Sequence, residues 1–118
     1  TMQQAIEIFR NERPTTFVIE NTNPMLRPTE SKDGTIAFRI VKDSSYLKSI
    51  LSKLTGPLLS TSANLKGKQP AQRRKELDLN LINQVDGIVE FTDTKGQAKP
   101  SRIMRYDTSN TSWSVLRD

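Results

Sequence analysis

Runs of β-branched residues alternate along this chain with short amphipathic stripes, and that alternation restricts the fold more than any other feature. Met2 to Arg10 sets Met2, Ala5, Ile6 and Phe9 on one face of a helix. Pro14 ends that helix, and TTFVIE (Thr15 to Glu20) reads as a strand. NTNPMLRPTESKDG is a loop with room for one helical turn, and TIAFRIV (Thr35 to Val41) is a second strand. Asp43 or Ser44 caps a helix from about Ser45 to Leu54, with Tyr46, Leu47, Ile50, Leu51 and Leu54 as its stripe. Gly56-Pro57 stops it, and PLLS reads as a short buried strand. RRKELDLNLINQ suggests a broken helix, DGIVEF (Asp86 to Phe91) a strand, and TDTKGQAKP a polar loop. SRIMRYD and TSWSVLRD form a closing hairpin across Asp107 to Asn110. Interleaved strands and helices in 118 residues predict one α/β layer domain over 1–118.

The chemistry open to such a chain is narrow. It contains no Cys and no His, so thiolate and imidazole catalysis and a histidine- or cysteine-held metal are excluded; no protein metal site is expected. Catalysis must rest on Lys/Arg electrostatics, hydroxyls, amides, carboxylates, or Mg2+ brought in by a substrate. A net charge of +5 favours anionic partners such as nucleotides or RNA, or belongs to a solvated surface. No apolar run approaches the roughly 20 residues that span a bilayer, so no membrane partner and a cytoplasmic location are expected.

LLSTSANLKGKQPA, Leu58 to Ala71, places three hydroxyls and an amide directly after an apolar run. Ligands of open α/β sheets bind beyond the carboxyl ends of strands, where Ser and Asn can donate to phosphate oxygens. Lys66 and Lys68 would add cationic cover, and Gly67 would let the backbone turn sharply. The plain alternative is a Ser/Asn-rich turn. Arg39 in IAFRI faces solvent or clamps a carboxylate or phosphate. Ser101 in KPSRIM is a strand-start hydroxyl or a ligand, and Arg117 in VLRD is a frayed terminus or a cation of a site. RRK (Arg73 to Lys75) is most simply a solvated face, and Trp113 packs in a core or at an edge rather than stacking on bases.

The ordered set resembles the YrdC/TsaC family of L-threonylcarbamoyladenylate synthases. Thr35 with Arg39, then Ser60, Ser62, Ala63, Asn64 and Gly67, Val85-Asp86, Pro100-Ser101 and Leu116-Arg117 carry it, from about Arg13 onward. The resemblance implies a single twisted mixed β-sheet domain with flanking helices, lacking the N-terminal part of the family fold. It implies that threonine, bicarbonate and ATP with Mg2+ give threonylcarbamoyl-AMP and pyrophosphate for tRNA modification. Arg39, Ser60 and Ser101 would hold threonine, with Arg39 on its carboxylate; Thr35, Ser62, Asn64 and Arg117 would hold the nucleotide. tRNA or double-stranded RNA and other tRNA-modification proteins are further candidate partners.

Departures accompany the match. The family's K-x-R motif has no counterpart, its P-G-P-x-T segment is RPTTF, Lys66 replaces a Ser, and Arg102 replaces the Thr of P-S-T. The expectation is therefore a fragment or shortened form with little activity alone. The alternative is a non-catalytic RNA- or nucleotide-binding module of the same fold.

Overall fold

A computed structural model describes residues 1–42, 45–89 and 99–118. The chain divides into two compact units, Thr1–Thr55 with Pro100–Asp118, and Gly56–Lys99.

The first unit opens with helix α1, Met2–Glu12. Thr1 caps it: its hydroxyl accepts from the Gln4 amide at 3.2 Å while Gln4 Oε1 accepts from the Thr1 nitrogen at 2.9 Å. This capping box satisfies donors that the first turn would otherwise leave free. The helix ends where Arg13 turns extended before Pro14. Four strands follow: β1 (Thr15–Glu20), β2 (Thr35–Arg39), β3 (Arg102–Asp107) and β4 (Ser112–Arg117). The sheet order is β2-β1-β3-β4, with β1 antiparallel to β2, parallel to β3, and β3 antiparallel to β4. A mixed sheet with a helix on it is the α/β architecture expected from the alternation. The β1–β2 connection carries a 3-10 turn, Pro24–Thr29, capped by Asn23. It closes at Gly34, whose φ of 77° is open to glycine without a Cβ clash.

Residue parity sorts the sheet into two faces. Thr15 and Phe17 are buried on the face that α1 covers, with Phe38, Met104 and Trp113 beside them. Trp113 sits at the centre, its ring 5.7 Å from Phe17, 5.8 Å from Phe9 and 5.1 Å from Tyr106. The two phenylalanine contacts are edge-to-face and the Tyr106 contact is tilted; aromatic pairs contribute about 0.5–1.5 kcal/mol each beyond area burial. Arg102 also lies on this face: its guanidinium is 5.4 Å over the Phe9 ring, donates to the Phe9 carbonyl at 3.1 Å, and pairs with Glu12 at 3.2 Å. The replacement of Thr by Arg102 is thus taken up by packing against α1.

The hairpin carries one irregularity with a consequence. Ile103 pairs with Arg117 but Met104 pairs with Val115, so Leu116 is an extra residue on β4. In a regular strand Trp113 and Arg117, four residues apart, share a face. The bulge breaks that parity. Trp113 stays in the aromatic cluster while Arg117 joins the row of Thr16 and Ile103. The turn itself is built by Asp107, which accepts from the Ser109 amide and the Asn110 side chain, and its left-handed residue is Thr111 at φ 49°.

Helix α2 covers Ser45–Ser52, two residues shorter than the stripe suggests. Its expected cap at Asp43 or Ser44 lies outside the described residues.

The second unit holds a 3-10 turn, Arg74–Glu76, and helix α3, Leu79–Ile82, capped by Asp78; together they form the broken helix read from RRKELDLNLINQ. Two strand expectations fail here. PLLS has no strand pairing, and Leu58 and Leu59 are 53% and 77% exposed. Asp86–Val89 is likewise not a strand, and the remainder of DGIVEF lies outside the described residues. A strand needs a ladder partner, and among its described residues this unit offers none. Among the described residues no helix is long and apolar enough to cross a membrane.

Candidate functional site

The face of the sheet opposite the aromatic cluster is polar. One row runs across all four strands as Arg39, Thr16, Ile103 and Arg117. Strand spacing of about 4.8 Å separates the two arginine Cα positions by roughly 14 Å. Between them Thr16 and Ser101 share a hydroxyl–hydroxyl hydrogen bond of 2.7 Å. Ser101 leads into β3 one alternation before Ile103, which sets its side chain beside Thr16. Arg117 donates from Nε (3.2 Å) and Nη2 (2.7 Å) to the Ser101 carbonyl. That bidentate hold uses two of its five N–H groups and leaves three. Arg39 is exposed, and its side chain has no ion-pair or hydrogen-bond partner among the described residues. An exposed guanidinium in one row with two hydroxyls and a second arginine presents N–H and O–H donors of the kind that anions accept from.

Thr35 begins β2 and is buried. Its hydroxyl donates to Asp33 Oδ1 at 2.6 Å, and its amide donates to the same oxygen at 3.2 Å. Asp33 Oδ2 in turn pairs with Arg105 at 3.0 Å. The Thr35 hydroxyl, the Thr35 amide and Arg105 together hold the Asp33 carboxyl below the usual carboxylate range.

The Ser/Asn loop belongs to the second unit and has its own geometry. Ser60 and Ser62 are exposed, and their hydroxyls make no hydrogen bond among the described residues. Asn64 is different. Its Nδ2 donates to the Leu65 carbonyl at 3.1 Å and the Lys68 carbonyl at 2.9 Å, while its Oδ1 is buried without a partner among the described residues. Both amide hydrogens expected for phosphate are thus spent on the loop. Gly67, at φ 83°, supplies the left-handed turn that lets the Lys68 amide return to the Leu65 carbonyl. Lys68 leans toward Asp78 at 3.6 Å, and Lys66 is exposed.

Of the residues expected from the sequence, the sheet brings Ser101 and Arg117 into contact and sets Arg39 in the same row. Thr35 stands at the far end of β2, and Ser60, Ser62 and Asn64 lie in the other unit. Three participants were not singled out from the sequence: Thr16, Asp33 and Arg105. The parity of TTFVIE against its buried Phe could have found Thr16. Asp33 and Arg105 carry no local signal, because their pairing crosses from one strand's entry to another strand.

Comparison of the sequence with known proteins gives the chain a family. The family described as "Telomere recombination", the Sua5/YciO/YrdC family, matches residues 2–118. A threonylcarbamoyl-AMP synthase of Xanthomonas axonopodis pv. citri is 31% identical over 105 residues, 89% of this chain and 53% of that protein. One from Stenotrophomonas maltophilia is 54% identical over 48 residues, 41% of this chain and 25% of that protein. One from Xylella fastidiosa strain M12 is 48% identical over 46 residues, 39% of this chain and 24% of that protein. The chain spans about half the length of the Xanthomonas relative and about a quarter of the other two. No solved structure matches it. With a family match that covers nearly every residue, this chain belongs to the Sua5/YciO/YrdC family.

Proposed function

We propose that this chain forms part of the substrate site of a threonylcarbamoyl-AMP synthase, joining threonine, bicarbonate and ATP into threonylcarbamoyl-AMP and pyrophosphate. The observation that carries the reading is the polar row: an exposed Arg39 with no side-chain partner among the described residues, the Thr16–Ser101 hydroxyl pair and a half-engaged Arg117 on one sheet face. Arg39 takes the threonine carboxylate through its planar fork. Ser101, oriented by Thr16, takes a polar group of the same amino acid. Arg117, anchored on the Ser101 carbonyl, presents its remaining N–H groups to the nucleotide.

The reaction needs no protein nucleophile, which suits a chain without Cys or His. The threonine amine and bicarbonate form a carbamate with loss of water. A carbamate oxygen then bonds to the α-phosphorus of ATP as the bond to the β-phosphate bridge breaks and pyrophosphate leaves. Two arginines that hold both reactants on one rigid sheet supply orientation and charge neutralisation. Mg2+ enters with ATP as part of the substrate.

Calorimetric titration with threonine tests this reading. Arg39→Lys keeps the charge but loses the fork, so affinity should fall about tenfold, the scale of one charge-assisted hydrogen bond. Equal affinity in the variant and the parent would remove Arg39 from the site. Because no K-x-R segment is present, this chain alone is expected to release little pyrophosphate from ATP in response to threonine.

A further inference from the structure

We infer that Asp33 is a positioning residue that fixes Thr35 as a hydrogen-bond acceptor, so that Thr35 receives a donor group of the nucleotide rather than a phosphate oxygen. The inference rests on the nucleotide-binding role that the family resemblance implies for Thr35, and deepens it.

A hydroxyl has one proton and can donate once. In Thr35 that proton goes to Asp33 Oδ1, at 2.6 Å. The direction of this bond is not ambiguous, because Asp33 also accepts from the Thr35 amide and from Arg105 and therefore behaves as an ionised, acceptor-only carboxylate. Both its oxygens are thereby engaged: Oδ1 by Thr35, Oδ2 by Arg105 at 3.0 Å. Gly34, in left-handed backbone, folds Asp33 back over the start of β2 and brings the carboxylate to the hydroxyl two residues on. What Thr35 Oγ1 has left is lone pairs. Phosphate oxygens are acceptors as well, so two acceptors would face each other. The groups of a nucleotide that do donate are the exocyclic amine of adenine and the ribose hydroxyls, and their shared chemistry is a neutral N–H or O–H. Arg105 is the second layer of the device, holding the carboxylate in the rotamer that serves Thr35.

The test titrates the 118-residue chain with ATP, inosine triphosphate, and 2′- and 3′-deoxy-ATP, comparing the parent with Thr35→Val, Asp33→Ala and Asp33→Asn. The parent should favour ATP over one analogue by roughly 3- to 10-fold, the size of a single neutral hydrogen bond. Loss against inosine triphosphate identifies the amine as the donor; loss against a deoxynucleotide identifies that hydroxyl. Thr35→Val and Asp33→Ala should each bring the ratio close to one. Asp33→Asn retains an oxygen toward Thr35 and should keep the ratio even if its melting temperature falls, a separation that a merely structural role would not produce. ATP binding with no preference among the analogues, or a preference untouched by Asp33→Ala, would overturn the inference alone. Absence of ATP binding in the parent would overturn it together with the nucleotide reading.

Discussion

Two arginines on the same sheet should respond to truncation in opposite ways. Arg102 is 12% exposed at its side chain and is tied into α1 three ways, through the Phe9 carbonyl, the Phe9 ring and Glu12. A hydrogen bond from a charged donor contributes about 1.5–3 kcal/mol. The cation–π contact adds about 1 kcal/mol. Glu12 is half exposed, so its ion pair adds about 0–1 kcal/mol. Against these stands Nε of Arg102, buried without a partner among the described residues, whose removal offsets about 1–3 kcal/mol. The net cost of Arg102→Ala is then about 2 kcal/mol, which for a domain of this size lowers the melting temperature by roughly 8 °C. Among the described residues Arg39 has no side-chain partner to lose, and Arg39→Ala should change stability by less than about 0.5 kcal/mol. Trp113 is the only tryptophan, and it sits in the cluster that α1 covers, so its fluorescence in a urea titration reports both variants directly. The m-value should hold while the midpoint shifts for Arg102→Ala alone. A cost above 1 kcal/mol for Arg39→Ala would refute the division of the sheet into a packed face and a receiving face, as would an unchanged midpoint for Arg102→Ala; both thresholds follow the usual ~0.5 kcal/mol scatter of surface substitutions.

Three further outcomes follow from particular residues. Deleting Leu116 removes the bulge and its extra residue together, so Arg117 follows Val115 directly and still pairs with Ile103 on the polar face; ATP affinity and tryptophan fluorescence should both stay near those of the parent. Replacing Leu116 by two alanines, which adds a further residue, should instead turn Arg117 onto the opposite face and lower ATP affinity severalfold. Thr111 holds a β-branched side chain at φ 49°, so Thr111→Gly should relieve about 1 kcal/mol of strain, less some chain entropy, and raise the urea midpoint. Asp33 titrates below its ordinary value in the folded state. Its stabilising contribution is therefore complete above the unfolded-state value of about 4 and is lost as pH falls through the lower folded value. Asp33→Ala should flatten that acid limb in melts taken across pH, and a limb of unchanged slope would place the titration elsewhere.

Much of the first unit was legible in the sequence. Helix α1, the strands β1 and β2, the closing hairpin and the turn at Asp107 all follow from local periodicity, capping residues and turn chemistry, which act within a few residues. The same local reading overreached at PLLS and Asp86–Val89. Apolar residues bounded by turn formers look like strands whether or not a partner strand exists, and pairing is not a local property. The loop at Asn64 shows the complementary limit. Its composition suits a phosphate ligand, yet its amide hydrogens close the turn, because the nearest acceptors are the loop's own carbonyls.

By itself the sequence determined the class of fold, the absence of Cys and His chemistry, and the ordered residues that mark the family. Only tertiary structure decided what those residues face. Sheet order put β1 beside β3, which are distant in sequence, and so joined Thr16 to Ser101. One extra residue in β4 let Trp113 and Arg117 part to opposite faces, and cross-strand reach joined Arg105 to Asp33. The physical reason is common to all three: a side chain's face is set by strand parity and pairing register, and register is a property of two segments at once.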